Sequence, residues 1–170
     1  MTVKSLAQKL ELWERIQTAV ERQVSPRAGR KLLPRLEEIP VRRSRALRRL
    51  GSYVSRSGSP VCIRLQFAQE EELLVETFLH EVAHACDHLS RKRWRIYRQA
   101  HGHSWQGWAL ALGIKPQVRG RSEELDRLYR ERLKVVAVCS RCGYELRRLR
   151  RLNQQHSYVH KKCGGVLRLC

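Results

Sequence analysis

Residues 70–89 read EEELLVETFLHEVAHACDHL, and within them residues 80–84 form the motif HEVAH. The apolar residues recur at helical spacing and three glutamates occupy the first turn, so this stretch is predicted to be one helix. Residues four apart on a helix share a face, so His80 and His84 can reach one zinc ion at about 2.0–2.1 Å. Glu81 lies beside them, where it can act as a general base on a water held by the metal. The stretch therefore predicts a catalytic zinc site.

A catalytic zinc ion usually has a third protein ligand and one open position. The segment HGHSW, residues 101–105, offers His101 and His103 for this role, and spacing alone leaves the choice between them open. Gly102 permits a tight backbone between the two histidines. Ser104 is predicted to cap the helix that begins there.

Other polar residues are weaker candidates for the site. His88 is interpreted as a polar surface residue, because three successive turns of one helix cannot easily converge on a tetrahedral ion. Glu123 and Glu124 are possible acidic ligands, although their position after a serine is more typical of a helix N-terminus. The group that stabilises an oxyanion is not determined by the sequence, and Tyr97 and His103 are the candidates for it.

Upstream of the HEVAH helix, the patterns predict one helix and a small sheet. Residues 5–22 have apolar side chains at helical spacing and are predicted to form a single helix. Residues 25–29 are predicted to be a linker, and Pro34 limits any helix that follows. Two strand-like runs, residues 46–54 and 61–67, are separated by a segment with the composition of a hairpin loop. The predicted fold class is α+β with a small antiparallel sheet.

The C-terminal segment contains a second group of metal-ligating residue types. Residues 139–143, CSRCG, have the CxxCG form of a zinc knuckle, and a second pair of ligands is needed to complete a site. His160 stands where a third cysteine would be expected, and His156 or Cys170 could replace it. The predicted ligands of a structural zinc ion are Cys139, Cys142, His160 and Cys163. Tyr144 and Tyr158 are interpreted as packing residues of this small module, and Cys62 and Cys86 as buried thiols.

The combination of HEVAHA, HGHSW and a C-terminal cysteine cluster resembles the SprT-like metallopeptidase family. The resemblance implies a zincin-like catalytic domain, here residues 1–134, followed by a zinc ribbon, residues 135–170. It implies that the first histidine of the HGxxW segment, His101, is the third zinc ligand. The family's ribbon usually has four cysteines, so His160 is a departure from the pattern. Spartan-like members imply the substrate class, which is proteins bound or crosslinked to DNA.

The charge of the chain points to a polyanionic partner. Its 35 Lys and Arg against 16 Asp and Glu give a formal net charge of +19, and such a surface favours DNA binding. Clustered basic residues can neutralise successive phosphates. The clusters are Arg42, Arg43, Arg45, Arg48 and Arg49; Arg91, Lys92, Arg93, Arg95 and Arg98; and Arg147, Arg148, Arg150 and Arg151.

The location is expected to be cytoplasmic. The sequence has neither a run of about 18 apolar residues that would span a membrane nor the apolar core of a signal peptide at its N-terminus. In a reducing compartment, six cysteines are expected to be metal ligands or buried thiols rather than disulfides.

The residues predict a zinc metalloendopeptidase with a strongly basic surface, and the family resemblance implies that its substrates are DNA-associated or DNA-crosslinked proteins. Two alternatives from other classes are kept. The first is a DNA-binding zinc protein without peptidase activity, which Glu81 beside the metal argues against. The second is a peptidase for one soluble protein partner, in which the positive charge serves only solubility.

Overall fold

The computed structural model describes residues 1–91, 100–118 and 120–170. The chain divides into two compact units, Met1–Glu124 and Leu125–Cys170. The described residues form helices and two small three-stranded sheets, so the predicted α+β class is confirmed. Within this part of the chain, every helix is too short or too polar to cross a bilayer.

Three helices open the first unit, where one helix and a linker were predicted. They are α1 (Val3–Lys9), α2 (Trp13–Gln23) and α3 (Pro26–Glu37). The prediction of a single helix over residues 5–22 is wrong, because the backbone turns at Glu11 with a positive φ of 57°. The linker predicted over residues 25–29 is also wrong. Pro26 begins α3, where its fixed φ suits a helix and its missing N–H costs nothing, and α3 continues through Pro34.

The first sheet combines the predicted hairpin with a strand that was not predicted. Its strands are β1 (Val41–Arg43), β2 (Gly51–Arg56) and β3 (Ser59–Leu65). β2 and β3 pair antiparallel around a turn in which Ser57 and Gly58 have positive φ angles. β1 pairs with β3 in parallel, so this sheet is mixed where an antiparallel one was predicted. The strand order is β1-β3-β2, which leaves β2 at one edge.

The remaining helices are α4 (Glu71–Ser90), α5 (His103–Ala111) and α6 (Glu123–Glu131). The observed α4 agrees closely with the helix predicted over residues 70–89. Most of its second half is buried, and its buried apolar residues join one core with those of the first three helices, β3 and α5. Ile16, Leu36, Ile63, Phe78 and Trp105 are among the largest fully buried side chains of this core. Each contributes about 1.5–3 kcal/mol through the removal of apolar surface from water. Cys62 and Cys86 are buried free thiols, as predicted.

The second unit is built on a smaller antiparallel sheet. Its strands are β4 (Lys134–Cys139), β5 (Glu145–Arg148) and β6 (Leu167–Leu169), in the order β5-β4-β6. Its core consists of Ala137, Cys139 and Leu167, with partly buried neighbours that include Tyr158. Modules of this size rarely bury enough apolar surface to be stable without a disulfide, a metal ion or a partner.

Candidate metal centres

Helix α4 and the turn before α5 bring three imidazoles together. His80 and His84 lie one turn apart on α4, and His101 directly precedes Gly102, the N-cap residue of α5. The Nε2 atoms of His80 and His84 are 3.2 Å apart, those of His84 and His101 are 3.1 Å apart, and those of His101 and His80 are 3.2 Å apart. The three ring nitrogens therefore form an almost equilateral triangle.

The triangle has the size that a shared zinc ion requires. Two nitrogens bound to a tetrahedral zinc ion at about 2.0–2.1 Å lie about 3.3 Å apart. A neutral imidazole nitrogen carries either one proton or one lone pair, so three nitrogens this close cannot all satisfy one another by hydrogen bonding. The donor set fits zinc, although imidazole also binds copper, iron and nickel.

Burial keeps these histidines neutral. Desolvation and repulsion from His101 lower the pKa of His80 to about 4. Desolvation, with repulsion from His80 and His101, lowers the pKa of His84 to about 3. Desolvation also lowers the pKa of His101. At neutral pH the rings are therefore uncharged, which is the form in which imidazole binds a metal.

Glu81 follows His80 on α4 and is buried, at 6% exposure. Desolvation raises the pKa of its carboxyl to about 7, against the opposing effects of a hydrogen bond from the Tyr53 backbone N–H and the charge of Arg49. A carboxyl group with a pKa near the working pH is suited to accept a proton and then release it.

Strand β2 approaches α4 so closely that it needs a glycine. A Cβ atom on Gly51 would lie 2.7 Å from Cγ2 of Thr77 and 3.0 Å from both Cγ and Oε1 of Glu81. Such distances are tighter than a side chain tolerates, so Gly51 allows the strand to contact the carboxylate. Together with the Tyr53 N–H, the strand fixes where that carboxylate lies.

Trp105 forms one wall of the histidine group. Its ring is fully buried and stacks on His84, with ring centroids 5.2 Å apart and an interplanar angle of 27°. It meets His80 and His101 edge-on, at centroid distances of 4.8 and 4.6 Å. Its buried indole nitrogen has no hydrogen-bond partner among the residues that the structure describes. The large apolar ring restricts the imidazoles and keeps water away from one side of them.

The other histidine candidates lie outside the three-imidazole group. His103 is the exposed first residue of α5, and among the described residues it is not part of the metal-ligating cluster. His88 is half-buried rather than exposed, and its Nδ1 lies 2.6 Å from the Tyr53 hydroxyl. Burial is the main reason that its pKa is lowered. His88 therefore contacts the sheet instead of the metal position.

The acidic candidates and the predicted cap have other partners. Glu123 and Glu124 begin α6, and the backbone N–H of Glu124 donates to Glu70. The prediction that Ser104 caps α5 is wrong, because Gly102 occupies the N-cap position and the Ser104 hydroxyl donates to Asp87 instead. Tyr97 lies outside the described residues, as do the basic residues at 92, 93, 95 and 98.

The sequence analysis missed Asp87, Gly51 and Tyr53. The sequence did contain a signal for Asp87, which is its position among the apolar residues of α4. A carboxylate that is buried there needs hydrogen-bond partners. Gly51 and Tyr53 act through backbone proximity and a backbone N–H. Neither property can be read from residue type.

The cysteine group in the second unit also converges on one point. Nδ1 of His160 lies 3.2 Å from the sulfur of Cys142 and 3.2 Å from that of Cys163. The sulfur of Cys163 lies 3.5 Å from that of Cys139 and 3.4 Å from that of Cys142. Two sulfurs on a tetrahedral zinc ion would be about 3.8 Å apart, so the group fits after a movement of a few tenths of an ångström.

Two similar turns hold these ligands. Gly143 and Gly164 follow the two ligand pairs with φ angles of 69° and 71°, and Gly143 and Gly164 donate backbone hydrogen bonds to Cys139 and His160 respectively. Backbone N–H donation, chiefly from Cys142, lowers the pKa of Cys139 to about 6, which favours the thiolate that binds metal. In the described part of the chain, the alternatives His156 and Cys170 are exposed and lie outside the group.

Of the two aromatic residues predicted to pack the core of the second unit, Tyr158 does so, whereas Tyr144 is exposed. The Tyr144 ring stacks on His160 with centroids 4.5 Å apart and an interplanar angle of 5°. Tyr158 packs on the small core, and its hydroxyl accepts a hydrogen bond from the Asn153 backbone N–H. Both rings therefore support the cysteine group.

The chain matches the model of a known protein family. The model of the SprT-like family matches residues 12–123, which include the three histidines and Glu81 and end before the cysteine group. Searches of curated proteins and of solved structures found no match.

Proposed function

The chain belongs to the SprT-like family, and from this premise we propose that it is a zinc-dependent metallopeptidase. The observation that carries the proposal is the group of three imidazole nitrogens within 3.2 Å of one another, together with the buried Glu81 that follows His80 on the same helix. A purely structural site has no need of a general base next to the metal. A hydrolytic site needs one.

The proposed roles follow from the chemistry of each group. His80, His84 and His101 would hold a zinc ion that polarises the scissile carbonyl and lowers the pKa of a bound water towards neutrality. Glu81 accepts a proton from the attacking water, because burial makes its carboxylate a stronger base than an exposed one. It then donates that proton to the leaving amine. As an edge strand next to α4, β2 offers a place for an extended substrate to pair.

We also propose that the cysteine group holds a structural zinc ion through Cys139, Cys142, His160 and Cys163. Four ligands close a tetrahedral site and leave no open position, which is typical of structural zinc. The small core of the second unit supports this role, because binding of a metal would supply the stability that apolar burial does not.

Zinc content tests both metal sites. We expect elemental analysis to find two zinc ions per chain in the parent, one in His84→Ala and one in Cys163→Ala. His103→Ala and Cys170→Ala are the matched controls and should keep both ions, since neither residue lies in a ligand group. A loss of zinc from either control, or one ion that survives both ligand substitutions, would reassign the sites.

The proposed substrates are proteins bound or crosslinked to DNA, cleaved in the cytoplasm. The net charge of +19 supports binding to a polyanion. The basic residues of the second unit are exposed and so available to phosphates; they include Arg147, Arg148, Arg150, Arg151, Lys161 and Lys162. The charge equally favours the second candidate function, a DNA-binding zinc protein without peptidase activity. The buried Glu81 favours the peptidase, because a protein that only binds DNA has no need of a general base next to its metal ligands.

A further inference from the structure

Asp87 is a buried carboxylate that the proposed peptidase mechanism does not use. It lies on α4, three residues after His84, and its side chain is 0% exposed. Arg91 donates to it from Nε at 3.1 Å and from Nη2 at 2.6 Å. The Ser104 hydroxyl donates to Oδ1 at 2.6 Å. The carboxylate therefore accepts three hydrogen bonds, two of them from a charged donor.

A buried ion pair of this kind adds little to the free energy of unfolding. Moving a carboxylate out of water costs about as much free energy as its ion pair returns, and a protein with an apolar residue of similar size in its place is often equally stable. A buried charge of this kind is better explained by the geometry that its hydrogen bonds enforce. Its partners show which geometry that is.

The partners of Asp87 lie on both sides of the chain segment that joins α4 to α5. Arg91 directly follows the last residue of α4, and Ser104 is the second residue of α5. His101 is three residues before Ser104, and its backbone carbonyl accepts a hydrogen bond from Gln106 at 3.3 Å. One carboxylate on the helix that carries His80 and His84 is thus bonded to the first turn of the helix that follows His101.

We propose that Asp87 is a positioning residue that holds His101 at the distance from His80 and His84 that a metal ion requires. It acts through Ser104 on the backbone of the HGHSW segment, and Arg91 fixes the orientation of the carboxylate. This inference rests on the proposed zinc site. The proposed role is indirect. The Asp87 carboxylate accepts hydrogen bonds from Arg91 and Ser104, and it is not bonded to an imidazole ring of a metal ligand.

The test measures zinc affinity in a pair of matched serine variants. Ser104→Ala removes the hydroxyl that bonds the Asp87 carboxylate. Ser90→Ala removes a hydroxyl from the same region of the fold. The Ser90 hydroxyl donates to the backbone carbonyl of Asp87, at 3.1 Å, and not to its carboxylate. Both serine residues are exposed. Ser104→Thr restores a hydroxyl and serves as the rescue variant.

The affinity is measured on the full chain by competition with a chromogenic chelator, and His80→Ala provides the signal of the cysteine site alone. We expect Ser104→Ala to weaken zinc binding at the histidine site by about tenfold or more. This is the usual effect of removing a hydrogen bond that positions a metal ligand. Ser90→Ala and Ser104→Thr should match the parent. The melting temperature of metal-free Ser104→Ala should stay close to that of metal-free Ser90→Ala.

Two results would overturn this inference and leave the proposed function standing. One is equal zinc affinity in Ser104→Ala and Ser90→Ala. The other is a loss of zinc affinity in Ser104→Ala that Ser104→Thr does not restore. Asp87→Asn should weaken zinc binding further, since an amide cannot accept both of the hydrogen bonds by which Arg91 orients the Asp87 carboxylate. If that variant does not fold, the serine series decides. A parent that holds no more zinc than His80→Ala would contradict the proposed function and this inference together.

Discussion

At the scale of single residues, burial controls the chemistry of the histidine site. The same desolvation lowers the pKa of His80 and His84 and raises the pKa of Glu81. Each shift favours the neutral form. The imidazoles therefore keep their lone pairs at neutral pH, and the carboxyl group titrates near pH 7, where it can both accept and donate a proton.

The pH dependence of stability tests the burial of Glu81 without any metal. In the metal-free protein, the raised pKa lets Glu81 hold its proton up to about pH 7 in the folded state, but the unfolded chain loses it near the ordinary value of 4.5. The folded state thus binds more protons between these values, so this group's contribution to stability falls as pH rises through that window. The amide of the Glu81→Gln variant does not titrate. The histidine contributions are common to both proteins and cancel in the comparison.

We therefore expect the stability of Glu81→Gln relative to the parent to increase from pH 4.5 to 8. The gain should be on the order of 3 kcal/mol and level off above pH 7. Urea denaturation of both metal-free proteins across this range measures it. A difference that is constant with pH would mean that Glu81 is solvated in the folded protein.

The sequence predicted which histidines lie together better than it predicted the residues that surround them. The spacing of His80 and His84 on one helix was enough to place both on the same face, because helical geometry is regular. His101 was chosen over His103 by family resemblance, since spacing did not separate them. Asp87 and Gly51 could not be assigned roles, because those roles depend on which loop and which strand pack against α4.

At the scale of elements, the errors occur where the backbone turns inside a continuous apolar pattern. The helical period runs through residues 5–22, yet the chain breaks between α1 and α2 at Glu11. No glycine or proline marks this break. The helix α4 was predicted well because its pattern is long, and the β1 strand was missed because three residues are too few to show a period.

Glu11 is predicted to be a strained residue. Its φ of 57° lies in the left-handed region, which costs a residue with a Cβ about 1 kcal/mol relative to glycine. We expect Glu11→Gly to raise the free energy of unfolding by up to about 1 kcal/mol, as measured by thermal or urea denaturation.

Glu14→Gly is the matched control for that substitution. Glu14 lies in the first turn of α2, where the backbone is helical. Glycine there should lower stability by roughly 0.5–1 kcal/mol. If both glycine variants are destabilised alike, then Glu11 does not adopt a left-handed conformation.

At the scale of the whole molecule, charge and the two metal centres define the proposal. The family match covers residues 12–123 and so includes the histidine group but not the cysteine group. The second unit is therefore interpreted from its own chemistry, which is a closed ligand set and a basic, exposed surface. We propose that this surface binds the DNA backbone.

Salt dependence tests that role. Replacing Arg147, Arg148, Arg150 and Arg151 by Ala should reduce the slope of log affinity against log salt by about 0.9 for each duplex phosphate that the variant no longer neutralises. Fluorescence anisotropy with duplexes of two unrelated sequences measures it, and both should bind alike. Zinc content should not change, because arginine does not ligate zinc.

The matched control removes the same charge elsewhere. Arg22, Arg27, Arg30 and Lys31 are exposed residues outside the three basic clusters, and their replacement by Ala removes as many positive charges. This control should keep a slope close to that of the parent. Equal slopes in the two variants would show that DNA responds to the total charge and not to the second unit.

The central claim is that Glu81 performs peptide hydrolysis at a zinc ion held by the three histidines. The most direct measurement is cleavage of an unfolded protein substrate by the zinc-loaded parent and by Glu81→Gln, each with and without DNA. We predict that Glu81→Gln retains two zinc ions per chain and that its rate falls by about 10²–10⁴, the usual contribution of a general base. Cleavage by Glu81→Gln at the parent's rate, or no cleavage by a parent that holds both zinc ions, would contradict the account.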